Sequence, residues 1–283
     1  MTRRVLITGC SSGIGLALAR RLAAEGWQVL ATLRDTSQPP DVPVGVEFLP
    51  LDLADSAVIT QLAGRIDRLD ALVDNAGYGL VGPFSSYSLA QMQHQLQVNF
   101  LGPAQLTQAL LPALRRSGGR IVVLSSMAGE TGLPFNSFYC ASKFALEGWA
   151  EALAHELPPQ GVQIALVEPG GHRTRFGANQ RWGENLHQLH AAEQQLLQGF
   201  RALLARRLAQ PGKSEAAVVD AVMHLLARKR MPLRTRVGGD AIALRWLKAL
   251  LPESWAQRLL QSQMRRMLTR PDPRAGGDRG TPS

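Results

Sequence analysis

Arg4-Val5-Leu6-Ile7-Thr8-Gly9-Cys10-Ser11-Ser12-Gly13-Ile14-Gly15, running into Leu16-Ala17-Leu18-Ala19-Arg20-Arg21-Leu22, decides the fold. The first four residues make a short buried strand, and the apolar spacing after Gly15 is that of a helix. Between them lie three glycines in the pattern Gly-x-x-x-Gly-x-Gly. Glycine lets backbone come close to a ligand, and the first turn of a helix offers free N–H groups to phosphate. Strand, glycine turn and helix together predict one unit of a parallel sheet with an anion site at its carboxyl edge. Taken alone, the stretch is also compatible with an ordinary tight turn, and the rest of the chain decides between the two.

The remaining sequence alternates in the same way. Strands are expected at residues 27–32, 46–51, 71–73, 120–124 and 162–167, with helices at 56–66, about 88–114 and 137–157. Three prolines between residues 35 and 45 put a loop where a helix would otherwise stand. The pattern predicts an α/β fold, a doubly wound parallel sheet in one domain spanning residues 1–240. A substrate-loop insertion is expected at about 175–208, a helical extension at 241–270 and a disordered tail at 271–283. Ligands of such sheets bind beyond the carboxyl ends of the strands. Arg34, Asp52, Asn75, Ser126 and Gly170 all fall there.

The chemistry is carried by Tyr139-Cys140-Ala141-Ser142-Lys143, with Ser126 thirteen residues upstream of the tyrosine. Positions i and i+4 share a helix face, which sets the Lys143 ammonium beside the Tyr139 phenol. A free phenol ionises near pH 10, too high for proton transfer at neutral pH. A neighbouring cation is expected to lower that value. Ser126, placed after an apolar strand, can hold a substrate oxygen for the same phenol.

With these pieces in place, the chain resembles the short-chain dehydrogenase/reductase family. The resemblance rests on Thr8 to Gly15, Asp52-Leu53, Asn75-Ala76-Gly77, Asn99, Ser126, Tyr139 with Lys143, and Pro169-Gly170 with Thr174. The stretches Ala31-Thr32-Leu33-Arg34-Asp35 and Gly132 to Gly148 are similar to the 17β-hydroxysteroid dehydrogenase type 1 and retinol dehydrogenase group. The resemblance implies a Rossmann-type fold and hydride transfer between a nicotinamide and a carbonyl or alcohol. It implies Tyr139 as acid or base, Lys143 on the nicotinamide ribose, Ser126 on the substrate oxygen, and Asn99 in a water-linked relay through Lys143. Cofactor contacts are implied for Gly9, Ser11, Ser12, Gly13, Ile14, Gly15, Arg34, Asp52, Leu53, Asn75, Ala76, Gly77, Tyr139, Lys143, Pro169, Gly170 and Thr174. A homodimer built from the helices carrying Asn99 and Tyr139 is implied as well, with Phe144, Trp149 and Leu153 as candidate contacts.

Residue chemistry bears on the cofactor. An acid at the end of the second strand favours NAD by bonding the ribose hydroxyls. Here Leu33 occupies that place and Arg34 follows, with a guanidinium suited to phosphate oxygens and Ser11 nearby. The expectation is NADP(H), with NAD(H) not excluded. Asp35 complicates it, since it can pair with Arg34 or contact ribose.

Charge is unevenly spread. Residues 1–200 hold 14 Lys+Arg and 16 Asp+Glu, a net of −2, whereas residues 201–283 hold 17 and 6, a net of +11. Two amphipathic helices joined at Pro252 carry this excess beside Trp246, Leu247, Leu250, Leu251, Trp255, Leu259 and Met267. They read equally as a membrane-surface element and as an arginine-rich lid over the substrate pocket. No nucleic-acid recognition motif accompanies the basic pI. Neither a signal peptide nor an 18-residue apolar span is read, and the two cysteines sit inside motifs, which together fit a cytoplasmic protein. His187 and His190 lack a third partner and read as a polar helix face, so no metal is expected. An apolar C-terminal cover favours a lipophilic ketone, aldehyde or alcohol as substrate. The opposing reading is a catalytically idle binding protein on the same fold, which intact Ser126, Tyr139 and Lys143 argue against.

Overall fold

The structure is a computed structural model that describes residues 2–171, 180–209 and 215–269. Strands β1 (Arg4–Ile7), β2 (Gln28–Leu33), β3 (Val46–Pro50), β4 (Ala71–Asp74), β6 (Arg120–Leu124), β7 (Gln163–Pro169) and β9 (Arg234–Val237) form one sheet in the order β3-β2-β1-β4-β6-β7-β9. Every pairing in it is parallel. Parallel sheets are covered on both faces and read as continuous apolar runs, as Val5-Leu6-Ile7 and Ile121-Val122-Val123 do. Helices α1 (Gly13–Ala24) and α7 (Ala216–Ala227) pack one face, with Leu18, Leu22, Val218 and Val222 buried there. Helices α2 (Ser56–Ala63), α4 (Gly102–Arg115) and α5 (Ser137–Glu156) cover the other around Leu72, Leu106, Leu110 and Ile121. Strand order reverses between β1 and β4, so a crevice opens at their carboxyl ends.

The expected strands and the loop between β2 and β3 are present. The long helix expected at about 88–114 is interrupted: α3 (Leu89–Leu96) leads into a π turn, Gln97–Leu101, and then into α4. Pro103 explains the widening. It has no N–H for the carbonyl four residues back, which belongs to Asn99, and its ring crowds that carbonyl.

Sequence reading missed the edge strand β9, because Arg234-Thr235-Arg236 alternates charges rather than apolar residues. Ion pairs account for it. Arg236 faces Glu130 and Glu168, and Arg234 faces Glu147 at 3.0 Å and Glu151 at 2.7 Å. The insertion contains strand β8 (Arg181–Trp182), paired with β5 (Leu80–Val81), and helix α6 (Ala191–Ala209). His187 lies in a short 3-10 turn and His190 precedes α6, its N–H donating to Glu193, so neither stands on a helix face. Helices α8 (Gly239–Leu250) and α9 (Glu253–Thr269) close the described chain. Helix α9 lies so close to α6 that a Cβ on Gly199 would meet the Leu268 carbonyl. Thr174 and the tail at 271–283 fall outside the described residues.

Candidate active site

The glycine turn is fixed by a polar clamp between β1 and β4. Thr8, fully buried, accepts hydrogen bonds at Oγ1 from the backbone N–H groups of Asn75 and Ala76, both at 2.9 Å. Asn75 returns the contact, its Nδ2 donating to the Thr8 carbonyl at 2.8 Å and to the Gly9 carbonyl at 3.2 Å. The loops are so close that a Cβ on Gly15 would stand 2.4 Å from the Gly9 carbonyl oxygen. Gly9, at φ +74°, is left-handed, and a Cβ there would meet Ala76 Cα at 2.8 Å. Glycine at these two positions is a packing requirement. The turn leaves the N-terminus of α1 without a side-chain cap, its N–H groups available to an anion.

One cleft of about 620 Å³ runs along the carboxyl edge of the sheet. Gly9, Ser11, Ser12, Gly13, Ile14, Arg34, Asp52, Leu53, Asn75, Ala76, Gly77, Ser126, Tyr139, Lys143, Pro169 and Gly170 all line it. Two expected site residues stand behind it instead. Gly15 supports the turn from within. Asn99, buried on the π turn, accepts at Oδ1 from the Tyr78 N–H at 3.1 Å and donates to the Tyr78 carbonyl at 2.9 Å. Its amide also donates to Ser142 Oγ at 3.2 Å, which ties the loop after β4 to α5.

Ser126 caps the turn after β6, its Oγ accepting from the Ala128 N–H at 3.1 Å, and it hydrogen-bonds the Tyr139 phenol. Lys143 is buried and its Nζ donates to the Leu124 carbonyl at 2.7 Å. Here the structure corrects the expectation that the lysine lowers the tyrosine. The ammonium lies 5.9 Å from the phenol ring centroid, and burial pushes Tyr139 up to about 12 against the lowering contact with Ser126. Burial acts on Lys143 in the opposite direction, bringing it down to about 8, with the carboxylates of Glu147 and Asp74 opposing that fall. At neutral pH this site holds a protonated phenol beside a protonated amine, the state in which Tyr139 can give a proton.

At the other end Arg34 is exposed, and Leu33 is buried where an acid would bond ribose. Asp35 turns away: its Oδ1 accepts from the Ser37 N–H at 2.9 Å, which holds its carboxyl below the usual range. Asp35 is not among the residues that line the cleft. Cys10 donates to the Ile7 carbonyl at 3.3 Å and burial pushes its thiol up to about 12, while Cys140 accepts from the Leu133 N–H. Both are buried fillers.

Sequence reading missed several cleft residues. Tyr78 and His94 line it, hydrogen-bonded to each other at 2.8 Å. Arg181 lines it too, its guanidinium 5.1 Å from the Tyr78 ring centroid. Met127, Leu133, Pro134, Phe200, Leu203, Leu204 and Met264 form an apolar wall beyond Tyr139. Tyr78 directly follows the Asn75-Ala76-Gly77 motif, which was the available signal. Phe200, Leu203 and Leu204 of α6 and Met264 of α9 come from the expected substrate insertion and C-terminal lid, though the individual residues were not singled out.

Known proteins resemble this chain in sequence and in fold. The model of the short chain dehydrogenase family matches residues 3–185. Retinol dehydrogenase 8 of Homo sapiens is 39% identical over 249 residues, covering 82% of this chain and 80% of that protein. The 17-beta-hydroxysteroid dehydrogenase type 1 of Homo sapiens is 45% identical over 188 residues, 61% of this chain and 57% of that one. A crystal structure of a metagenomic short-chain oxidoreductase in complex with NADP superposes with a TM-score of 0.62 at 25% identity, covering 83% of this chain and 97% of that one.

Proposed function

The chain belongs to the short-chain dehydrogenase/reductase family and is an oxidoreductase, and from that premise we propose that it transfers hydride between NADP(H) and a lipophilic ketone, aldehyde or alcohol. The observation that carries this reading is the place of the Tyr139–Ser126 hydrogen bond. It lies in a cleft with glycine-turn backbone and Arg34 on one side and an apolar wall on the other. The cradle fits a dinucleotide: Gly9 and Gly15 leave no room for side chains, and α1 presents an uncapped N-terminus.

When bound, the dinucleotide supplies or accepts the hydride. Ser126 orients the substrate oxygen and stabilises its developing charge. In reduction Tyr139 gives its proton to that oxygen, and in oxidation it takes the proton back. Lys143, its ammonium 5.9 Å from the Tyr139 ring centroid, would hold the nicotinamide ribose. Asn99 serves a relay to Lys143, and Pro103 removes the helical donor that its main-chain carbonyl would otherwise meet. Arg34, with Ser11, takes the 2′-phosphate that the missing acid at position 33 does not repel.

The apolar wall favours a lipophilic substrate over a sugar or small acid, in keeping with the names of the retinol and steroid relatives. Five large apolar side chains on the last two helices are exposed, Ile242, Trp246 and Leu250 in one stripe of α8 and Trp255 and Leu259 on α9. With Arg245, Arg258 and Arg266 alongside, this face fits the anionic surface of a membrane, and Met264 on the same α9 lines the cleft. No helix among the described residues is long and apolar enough to cross a membrane. Leu101 and Phe144, exposed beside α4 and on α5, support a homodimer through those helices. Trp149 and Leu153 pack instead against the core.

NADPH consumption with retinal, steroid ketones, long-chain 3-keto compounds and polar sugars tests the reading. Turnover of the lipophilic members supports it. Activity confined to the sugars, or cofactor binding with no turnover of any carbonyl, points to a polar-substrate enzyme or an idle binding protein respectively.

A further inference from the structure

Arg34 and Arg181 both line the cleft, and among the described residues neither has a carboxylate within ion-pair distance. The arginines of the sheet edge differ, since Arg234 and Arg236 are both paired with glutamates. Two unneutralised guanidiniums in one groove, with Asp52 as its acid, call for an anion. Arg34 serves the ribose phosphate. Arg181 has no such role.

Its surroundings locate one. Asn99 and Gln95 clamp the backbone after β4: Gln95 accepts from the Leu80 N–H at 2.7 Å and donates to the Tyr78 carbonyl at 3.0 Å. This holds the Tyr78 ring where Arg181 lies over it and His94 Nδ1 meets its hydroxyl. Burial, followed by Arg181, holds His94 below the usual histidine range. Tyr78 stands two residues from Ala76, and Ala76 touches Gly9. His94 also feels the charges of Arg34 and Asp52, so the group faces the end of the cleft where those two residues lie.

We propose that Arg181, supported by Tyr78 and His94, is a second phosphate-recognition element that contacts the dinucleotide pyrophosphate opposite the glycine turn. The inference rests on the dinucleotide reading above. Its consequence is that the substrate insertion takes part in holding the cofactor, because Arg181 is supplied by β8 within that insertion. The backbone bond that places β8, from the Arg181 N–H to the Gly79 carbonyl at 2.8 Å, does not depend on the side chain, so the fold tolerates its replacement.

The test is fluorescence titration of NADPH and of NADH into the full chain, in wild type, Arg181→Gln, His94→Gln and Arg34→Ala, at low and high salt. A charged hydrogen bond is worth enough that Arg181→Gln is expected to weaken both cofactors by about tenfold or more. It should also flatten the salt dependence, with His94→Gln showing a smaller loss in the same sense. Arg34→Ala is expected to weaken NADPH alone, and a failure there counts against the NADP(H) assignment without touching this inference. Affinities of both cofactors within about twofold of wild type in Arg181→Gln would overturn it. So would a loss confined to NADPH.

Discussion

Replacing Thr8 by valine tests whether the clamp between β1 and β4 shapes the site. The side chain is fully buried, and its Oγ1 is the acceptor for the N–H groups of Asn75 and Ala76, each at 2.9 Å. Valine fills nearly the same space and accepts nothing, so two donors lose their partner. An orphaned buried donor costs about 1–3 kcal/mol, giving a range of about 2–6 kcal/mol for two. Asn75 and Ala76 are only half-buried, which allows water to recover part of the loss and favours the lower end, about 3 kcal/mol. For a chain of this size that corresponds to a fall in melting temperature of about 6 °C. Urea denaturation and thermal melts of Thr8→Val measure it, and Thr8→Ser, which keeps the hydroxyl, should recover most of the loss. A Thr8→Val protein within about 0.5 kcal/mol of wild type would refute the reasoning.

A second expectation concerns Asp74, fully enclosed at the end of β4 with its Oδ2 accepting from Thr107 at 3.0 Å. Burial raises it from 3.8 to about 7, so the folded chain keeps a proton that the unfolded chain releases, and stability falls as pH rises through that window. Asp74→Asn removes the titration and should gain on wild type by up to about 4 kcal/mol between pH 4 and pH 7, at about 1.4 kcal/mol per pKa unit; a pH-independent difference contradicts it. Trp246→Ala with Trp255→Ala should abolish flotation with anionic vesicles while leaving the reduction of a soluble carbonyl unchanged. Equal flotation of variant and wild type rules out the membrane face. Phe144→Asp should shift a homodimer to monomer in sedimentation velocity, and an unshifted dimer places the interface elsewhere.

The catalytic half of the molecule was legible because its signals are local. Strand, glycine turn and helix succeed one another within 22 residues, and the i, i+4 spacing of Tyr139 and Lys143 survives any tertiary rearrangement. Two kinds of feature were not legible. One is the edge strand β9, whose stability comes from pairing Arg234 and Arg236 with glutamates on β7, α5 and the turn after β6. Such partners lie 66 to 106 positions away and leave no mark on local periodicity. The other is electrostatic. The spacing of Tyr139 and Lys143 gave their neighbourhood, but the direction of the Tyr139 shift is set by burial, which a helical wheel does not report. The π turn at Asn99 falls between these cases: Pro103 was in plain sight, and its effect follows from the carbonyl it cannot serve.

At the centre of the mechanism Tyr139 moves the proton while the rest of the cleft holds the cofactor. Tyr139→Phe removes one oxygen and leaves the ring in its buried place against Ala128, Leu133 and Cys140. The most direct measurement pairs NADPH titration with NADPH-dependent reduction of a lipophilic carbonyl in this variant. The expected result is a dissociation constant within about twofold of wild type, together with turnover lowered by at least about a hundredfold, the scale of general acid catalysis. Substantial turnover without the phenol would contradict it.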